Sequence, residues 1–185
     1  MQAAVELHRT LGPARTQVSA IAERAGVERV TVYRHFPETR MLLRACAAHN
    51  LSLNPLPDPR AWLGVKDPVT RLRIGLTEAF AYYRRNDEMM ANVLRDSHIM
   101  PVGKAFLEFQ ASTRETLSRG WRVRGASRAR LLAFVALAVD FQTWRLLARQ
   151  PGLDDAELVA TLVELVHCFQ GPNLSSAGAG RSADA

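Results

Sequence analysis

The stretch VSAIAERAGVERVTVYRHF, residues 18–36, constrains the fold more than any other part of this sequence. Apolar residues recur three and four positions apart at its start, which predicts a short amphipathic helix over Val18–Ala25. Gly26 follows where the chain must reverse, and we expect it to have a positive φ, which a residue without Cβ adopts at little cost. A second short helix over 28–36 completes a helix-turn-helix. The residues expected to anchor this second helix are Val27, Val32 and Phe36.

The other side chains of the second helix are mostly polar or charged and should face outward. They are Arg29, Thr31, Tyr33, Arg34 and His35. Such a surface suits phosphate groups and base edges better than an apolar protein partner, because these side chains can hydrogen bond to both. The stretch therefore predicts DNA binding.

The composition of the whole chain fits this interpretation. Its 185 residues are 48% apolar and 23% charged, which is typical of a globular protein with a substantial core. The net charge of +6 fits a polyanionic partner. Cys46 and Cys168 lie far apart without a CxxC motif, which predicts free thiols in a reducing compartment. Because the charged N-terminus does not read as a signal peptide and no apolar run reaches about 18 residues, we expect a cytoplasmic protein.

The rest of the sequence predicts an all-α protein, since no β-like alternation competes with the helical pattern. A first helix should cover 2–11, Thr16 should cap the helix that begins at Val18, and a longer helix should cover 38–51. The three prolines in 54–60 exclude regular structure and predict a boundary. The expected domains are an N-terminal three-helix helix-turn-helix domain (1–53), a helical ligand-binding and dimerisation domain (54–170) and a disordered tail (171–185).

Helical patterns continue through the predicted second domain. The helices expected there cover 67–85, 87–96, 101–121, 127–149 and 154–170. Ser127 should cap the fourth of these, and Asp154 with Glu157 three residues later should form a capping box at the start of the last. Asp140 stands out as a charged residue inside an apolar helix.

The last two predicted helices are apolar on more than one face. Residues 131–141 are apolar nearly all round, and residues 158–169 cover two faces. Because a surface helix needs only one buried face, the second face predicts a homodimer formed through a four-helix bundle. The alternative is that both helices are central in a monomer. Two recognition helices must be held about one DNA turn apart, which favours the dimer. The expected interface residues are Leu131, Val135, Val139, Leu158, Leu162, Leu165 and Phe169.

These features resemble the TetR (tetracycline repressor) family of transcriptional regulators. Its members typically show a helix ending in Gly, then a Thr, a V-x-x-I-A-x-x-A-G-V run and a T-[LV]-Y-x-[HY]-F recognition helix. The corresponding residues here are Gly12, Thr16, residues 18–27 and residues 31–36, and the spacing matches without a gap. The resemblance covers the N-terminal stretch in motif and the remainder of the chain in layout only.

The resemblance implies a set of DNA contacts. Arg29, Thr31 and Val30 would reach base edges or a thymine methyl group. The other side chains would bind phosphates, which position the protein without reading sequence. The full implied set is Thr16, Gln17, Arg29, Val30, Thr31, Tyr33, His35, Thr39 and Arg40.

Several residues depart from the family pattern. Glu28 stands where many relatives have Ser, Val30 where Gly or Ala is common, and Thr39 where a phosphate-binding Lys is usual. His8 replaces the usual core Phe of the first helix, and we interpret it as a semi-buried histidine rather than a ligand. The basic N-terminal arm of many relatives is not seen.

The resemblance also implies that the helical domain binds a small-molecule effector, which would shift the 38–51 helix and so the separation of the recognition helices. The expected lining of that site is Phe80, Tyr83, Met89, Met90, Val93, His98, Phe106, Phe109, Phe141 and Trp144. Its composition predicts an apolar or aromatic ligand.

No arrangement of residues in the sequence supports catalysis, a metal site or a cofactor. The five histidines are scattered, and the motifs of serine hydrolases, P-loops and dinucleotide sites are missing. We therefore expect a homodimeric repressor that leaves a palindromic operator when it binds an effector. Two alternatives remain open: a constitutive or activating regulator without ligand control, and a helical ligand-binding or interaction module that has lost DNA affinity.

Overall fold

A computed structural model describes residues 1–97 and 104–168, and all regular structure in those ranges is helical. The helices are α1 Gln2–Thr10, α2 Val18–Ala25, α3 Arg29–His35, α4 Thr39–Leu53, α5 Pro68–Arg95, α6 Lys104–Leu117, α7 Gly125–Ala138, α8 Phe141–Leu147 and α9 Asp155–His167, with short 3-10 helices at Pro13–Arg15 and Ala61–Gly64. The all-α prediction is confirmed. Among the described helices, none combines the length and apolar character needed to cross a membrane.

The helix expected over 67–85 and the one expected over 87–96 are in fact a single helix, α5. The prediction of a break was wrong because Asn86, a polar residue in the middle, is accommodated within the helix. Its Nδ2 donates a hydrogen bond to the carbonyl of Tyr82 one turn earlier, at 2.9 Å.

The single helix expected over 127–149 is in fact two helices, α7 and α8. Asp140 is the reason, because its carboxylate accepts a hydrogen bond from the backbone N–H of Thr143 at 2.9 Å and so caps the start of α8. Asp140 is therefore not a charge inside an apolar helix. Ser127 is not a cap either, since α7 begins at Gly125.

The capping box predicted at the last helix is confirmed. Asp154 accepts from the backbone N–H of Glu157, and the Glu157 side chain accepts from the backbone N–H of Asp154. The predicted start of a helix near 101 and the predicted disordered tail lie outside the described residues, as do His98 and Phe169.

The chain divides into two compact units. Of the described residues, the first unit contains 1–59, 78–97 and 104–112, and the second contains 60–77 and 113–168. In the first unit α1 packs against α2 and α4, and α2 against α3. The core of these helices is formed by Ala4, Val5, Leu7, Ile21, Leu42, Cys46 and, from α5, Met89. The predicted domain boundary after residue 53 stays a prediction.

The second unit is built around α7, which packs against α8 and α9. Its core consists of large side chains that are almost fully covered. Prominent members are Trp62, Leu72, Leu76, Leu117, Leu131, Val135, Phe141, Trp144 and Leu158. The buried guanidinium of Arg71 donates to the carbonyls of Val65, at 2.6 Å, and Arg119. These bonds join the start of α5 to the chain that follows α6.

Candidate nucleic-acid interface

The reversal between α2 and α3 has the geometry of a helix-turn-helix. Gly26 ends α2 with φ 67° and ψ 32°, so the predicted positive φ is confirmed. The backbone N–H of Val27 donates to the carbonyl of Ala22 at 3.0 Å, which satisfies the end of α2. Ile21 and Val32 are buried and hold the two helices together.

Val27 does not anchor α3 as predicted. Its side chain is 43% exposed, because it lies in the turn directly after Gly26, before α3 begins. Phe36 is half-buried and packs against the core of the first unit, together with Val18. Of the three predicted anchors, Val32 is the one that is buried.

The outer face of α3 is exposed as expected. Arg29, Tyr33 and His35 are exposed, Val30 is 65% exposed and Thr31 is half-buried. Arg29 Nη2 donates to the Tyr33 hydroxyl at 3.0 Å, and its guanidinium carbon lies 5.3 Å from the centre of the Tyr33 ring. The two side chains one turn apart therefore form a single surface feature near the start of α3.

The flanking residues of the implied DNA set lie on both sides of α2 and α3. Gln17 is exposed at the start of α2, and Thr39 and Arg40 are exposed at the start of α4. Thr16 does not cap α2, because its hydroxyl donates to the carbonyl of Gly12 at 2.8 Å. It instead closes the turn that leads into α2.

Some positive charges near this surface have carboxylate partners. Arg40 Nη2 lies 3.3 Å from Glu38, and Arg24 Nε lies 3.0 Å from Glu6. Hydrogen bonds from Gln2 and then from Arg24 lower the pKa of Glu6, so this carboxylate stays charged. Both ion pairs are exposed and weak, and phosphate oxygens can replace their carboxylates.

His8 is covered by the core of the DNA-binding helices and is not exposed for ligand binding. It is 4% exposed, and its Nδ1 lies 3.1 Å from the Sγ of Cys46 on α4. Burial lowers the pKa of His8 and raises the pKa of Cys46 to about 11, so both groups are neutral. Within the described ranges, no three His, Cys, Asp or Glu residues come together as a metal site.

Residues 1–46 match the family model described as bacterial regulatory proteins, tetR family. The chain carries a TetR-type DNA-binding domain. It is thus a DNA-binding transcriptional regulator, and the resemblance seen in its motifs is confirmed. No curated protein and no solved structure matches the chain.

The structure distributes the effector residues implied by the TetR resemblance over both units. Phe80, Tyr83, Met89, Met90, Val93, Phe106 and Phe109 belong to the first, and Phe141 and Trp144 to the second. In the first unit, Phe106 and Phe109 contact each other, with ring centres 6.2 Å apart, and Phe109 also contacts Tyr82. Met89 packs with α1, α2 and α4, and Val93 lies against the same core.

A cavity of about 530 Å³ lies elsewhere in the first unit, among α1, the end of α4 and the middle of α5. Met89 is the one member of the implied effector set that lines it. Most of its walls are polar or charged and were missed by sequence reasoning, which followed apolar and aromatic side chains. They include Arg9, Asn50, Asn54, Arg84, Arg85 and Asp87.

The predicted dimer residues are mostly covered by their own chain. Leu131, Val135, Val139, Leu158 and Leu162 are each less than 5% exposed, and Leu165 is 46% exposed. The exposed apolar side chains of α7 lie on its opposite face and include Leu132, at 43%, and Leu137, at 54%. The helical periodicity predicted two apolar faces on these helices. It did not predict which of the two faces is buried within the same chain.

Proposed function

We propose that this TetR-family protein is a homodimeric, one-component repressor that acts in the cytoplasm on a palindromic operator and is released by a small molecule. The observation that carries the DNA-binding part is the exposed outer face of α3, with Arg29 and Tyr33 joined at its start. Dimerisation is supported by exposed leucines of α7 and α9, and release by an effector is supported by the aromatic side chains of α5 and α6.

In the proposed complex, α3 lies in the major groove. Arg29 would bind a guanine edge, Thr31 a base edge and Val30 a thymine methyl group. These residues form the N-terminal half of α3, where Arg29 and Val30 are exposed and Thr31 is half-buried. Phosphates would be bound by the other residues of the implied set, which are Thr16, Gln17, Tyr33, His35, Thr39 and Arg40.

The proposed dimer forms through α7 and α9. Exposed Leu132 and Leu137 on α7 and Leu165 on α9 belong to helices that pack against each other within the second unit. Leucines exposed to this extent favour association, because burying them removes apolar surface from water. The contact residues of this proposal are thus on the exposed face, while Leu131, Val135 and Leu158 support it from inside the chain.

The dimer is tested by changing two exposed leucines and one buried leucine of α7. Leu137→Glu should give monomers in sedimentation analysis while the helical circular dichroism is kept. The matched change Leu132→Glu should have the same effect, whereas Leu131→Ala should lower the unfolding temperature and leave the dimer. Dimers that persist in both glutamate variants would overturn this interface.

Effector release is supported by the family resemblance and by the aromatic side chains of α5 and α6. Tyr82, Phe106 and Phe109 form one aromatic group. The exposed fraction of Phe106 is intermediate, so this side chain of the group is accessible from solvent. A second candidate is a regulator without ligand control, which is favoured by Phe80 and Tyr83 having no exposed surface. A thermal-shift screen with apolar and aromatic compounds separates them, because a broad screen without a stabilising compound favours the second candidate.

The proposed function as a whole is tested by selecting bound fragments from genomic DNA at low salt. A repressor should enrich palindromic fragments, and failure to enrich them would favour a module that has lost DNA affinity. With the selected duplex in hand, Arg29→Ala should cost about 1–3 kcal/mol and relax base preference at one position. Tyr33→Phe should weaken all duplexes alike. Equal losses on every sequence for both variants would show that Arg29 binds phosphate only.

A further inference from the structure

The last turn of α5 is joined to the chain between α1 and α2 by a set of polar contacts that lie outside the helix-turn-helix. Arg95 Nη2 donates to the carbonyl of Leu11 at 2.9 Å, and the Asp96 carboxylate accepts from the backbone N–H of Ala14 at 3.0 Å. One turn earlier, Asn92 Nδ2 donates to the carbonyl of Arg9 at 2.6 Å. We call these three contacts the α5 latch.

Further contacts strengthen the latch on both sides. Arg95 Nε donates a hydrogen bond to Asp96 Oδ1 at 2.8 Å, and this bond to the carboxylate raises the pKa of Arg95. Glu88 forms an ion pair with Arg9 of α1. Met89, on the same segment of α5, is in the core formed with α1, α2 and α4.

The position and burial of Asp96 are not explained by the stability of α5 alone. A carboxylate just after the last residue of a helix lies at the negative end of the helix dipole, which disfavours it. The residue is nevertheless 4% exposed, and burial of a charge is costly unless it is paired and hydrogen bonded. Its partners are Arg95 and the N–H of Ala14, within the short 3-10 helix Pro13–Arg15. Asp96 therefore caps an element of the DNA-binding domain from a distant part of the sequence.

The turn that the latch holds leads directly into the DNA surface. Gly12 accepts the hydroxyl hydrogen bond of Thr16, and α2 begins two residues later at Val18. A Cβ on Gly12 would overlap Arg95 Nη2 and would lie 2.6 Å from Asp96 Oδ2. The latch and this turn are thus in direct contact, with no space for a side chain between them.

We propose that Asp96 and Arg95 are positioning residues for DNA binding, which hold the turn before α2 and thereby fix the orientation of the helix-turn-helix. This inference rests on the proposed function, since it names the place where α5 controls the DNA-binding helices. α5 is one unbroken helix whose residues 68–77 belong to the second unit. In this proposal, α5 affects DNA affinity as well as α4, the helix that follows α3 directly in the chain.

The test compares two aspartates at opposite ends of α5 in the full-length protein. Asp96→Ala removes the bond to Ala14 and the carboxylate that binds Arg95. Asp67→Ala removes a cap at the start of the helix, where Asp67 accepts from the N–H of Thr70 at 2.7 Å. Two quantities are measured well below the unfolding temperature: affinity for the selected duplex, and amide hydrogen exchange across residues 13–25. Asp96→Ala should weaken binding by about tenfold and speed exchange in that range, whereas Asp67→Ala should change neither.

Asp96→Asn provides the rescue, because an asparagine oxygen can still accept from the N–H of Ala14. It should recover most of the affinity and slow the exchange again. Unchanged affinity and exchange in Asp96→Ala would overturn the proposal, as would equal changes in Asp67→Ala. If Asp96→Ala does not fold, Asn92→Ala decides, because loss of its bond to Arg9 should change both quantities in the same direction. If the wild-type protein selects no DNA, the proposed function fails, and the exchange measurement still tests the latch.

Discussion

The DNA-binding helices and the second unit are stabilised in different ways. In the second unit, large side chains such as Phe141, Leu72 and Leu131 have no exposed surface. Around the DNA-binding helices the core is aliphatic, with Ala4 and Cys46 beside leucine, isoleucine and methionine side chains. The connection to α5 there combines the apolar contact of Met89 with hydrogen bonds to backbone carbonyls and N–H groups.

The two kinds of contact contribute differently to the stability of a unit and to the orientation of its helices. Apolar burial is roughly proportional to area and has no direction, so it gives the second unit stability without requiring one geometry of each contact. Hydrogen bonds weaken steeply when their angles change, so the α5 latch specifies orientation. Substitutions in the second unit should therefore mainly change the free energy of unfolding. Substitutions in the α5 latch should also change the orientation of the DNA-binding helices.

The largest effect is expected for Trp144→Ala in the second unit. Trp144 is 2% exposed, its ring centre lies 5.7 Å from that of Phe141, and its Nε1 donates to Asp155 Oδ1 at 3.0 Å. Removing the ring leaves a cavity and should lower the free energy of unfolding by about 3–5 kcal/mol, measured by urea denaturation. Leu146→Ala on the same helix is the control, because this residue is 66% exposed and should change stability by no more than about 0.5 kcal/mol. Equal losses would show that α8 is not packed as described.

The sequence was informative where local rules decide the structure. The reversal at Gly26 and the capping box at Asp154 each depend on residues a few positions apart, and both were predicted. The interruption at Asp140 is also local, but its side chain was interpreted as part of a continuous helix because apolar residues surround it.

The α5 latch was out of reach of sequence reasoning. Asp96 and Ala14 are 82 residues apart, and no periodicity relates a helix end to a distant turn. The same holds for His8 and Cys46: the sequence predicted a semi-buried histidine and a free thiol, but it did not predict that the two are in contact. Long-range polar pairs depend on how the helices pack against each other. The spacing of residues within each helix does not determine this packing.

A smaller loss is expected for Gly12→Ala, which strains the latch without removing its groups. Gly12 has φ 93°, which residues with a Cβ rarely adopt, and the new methyl group would also displace Arg95 and Asp96. We expect a loss of about 2 kcal/mol in the free energy of unfolding, together with faster amide exchange in the turn that follows.

Gly26→Ala is the matched control for that substitution. Gly26 also has a positive φ, 67°, but no atom lies within 4 Å of a Cβ built there. Its cost should therefore come from the backbone alone, at about 1 kcal/mol. If both variants lose the same stability, the close contact between Gly12 and the latch does not contribute.

The smallest effect is expected for His8→Phe, which makes the core of the DNA-binding helices more like that of the second unit. Burial lowers the pKa of His8 from its ordinary value of 6.5, so the unfolded chain binds a proton before the folded protein does. The wild-type protein should therefore lose stability as the pH falls below about 6.5, and the phenylalanine variant should lose less. At about pH 8, where His8 is neutral in both states, the variant should be more stable by about 1 kcal/mol, because no polar ring is buried. Urea denaturation at about pH 8 and about pH 5 measures both effects. If the stabilisation is the same at the two pH values, the folded protein accommodates a protonated His8. The core of the DNA-binding helices would then differ less from the core of the second unit than its buried histidine suggests.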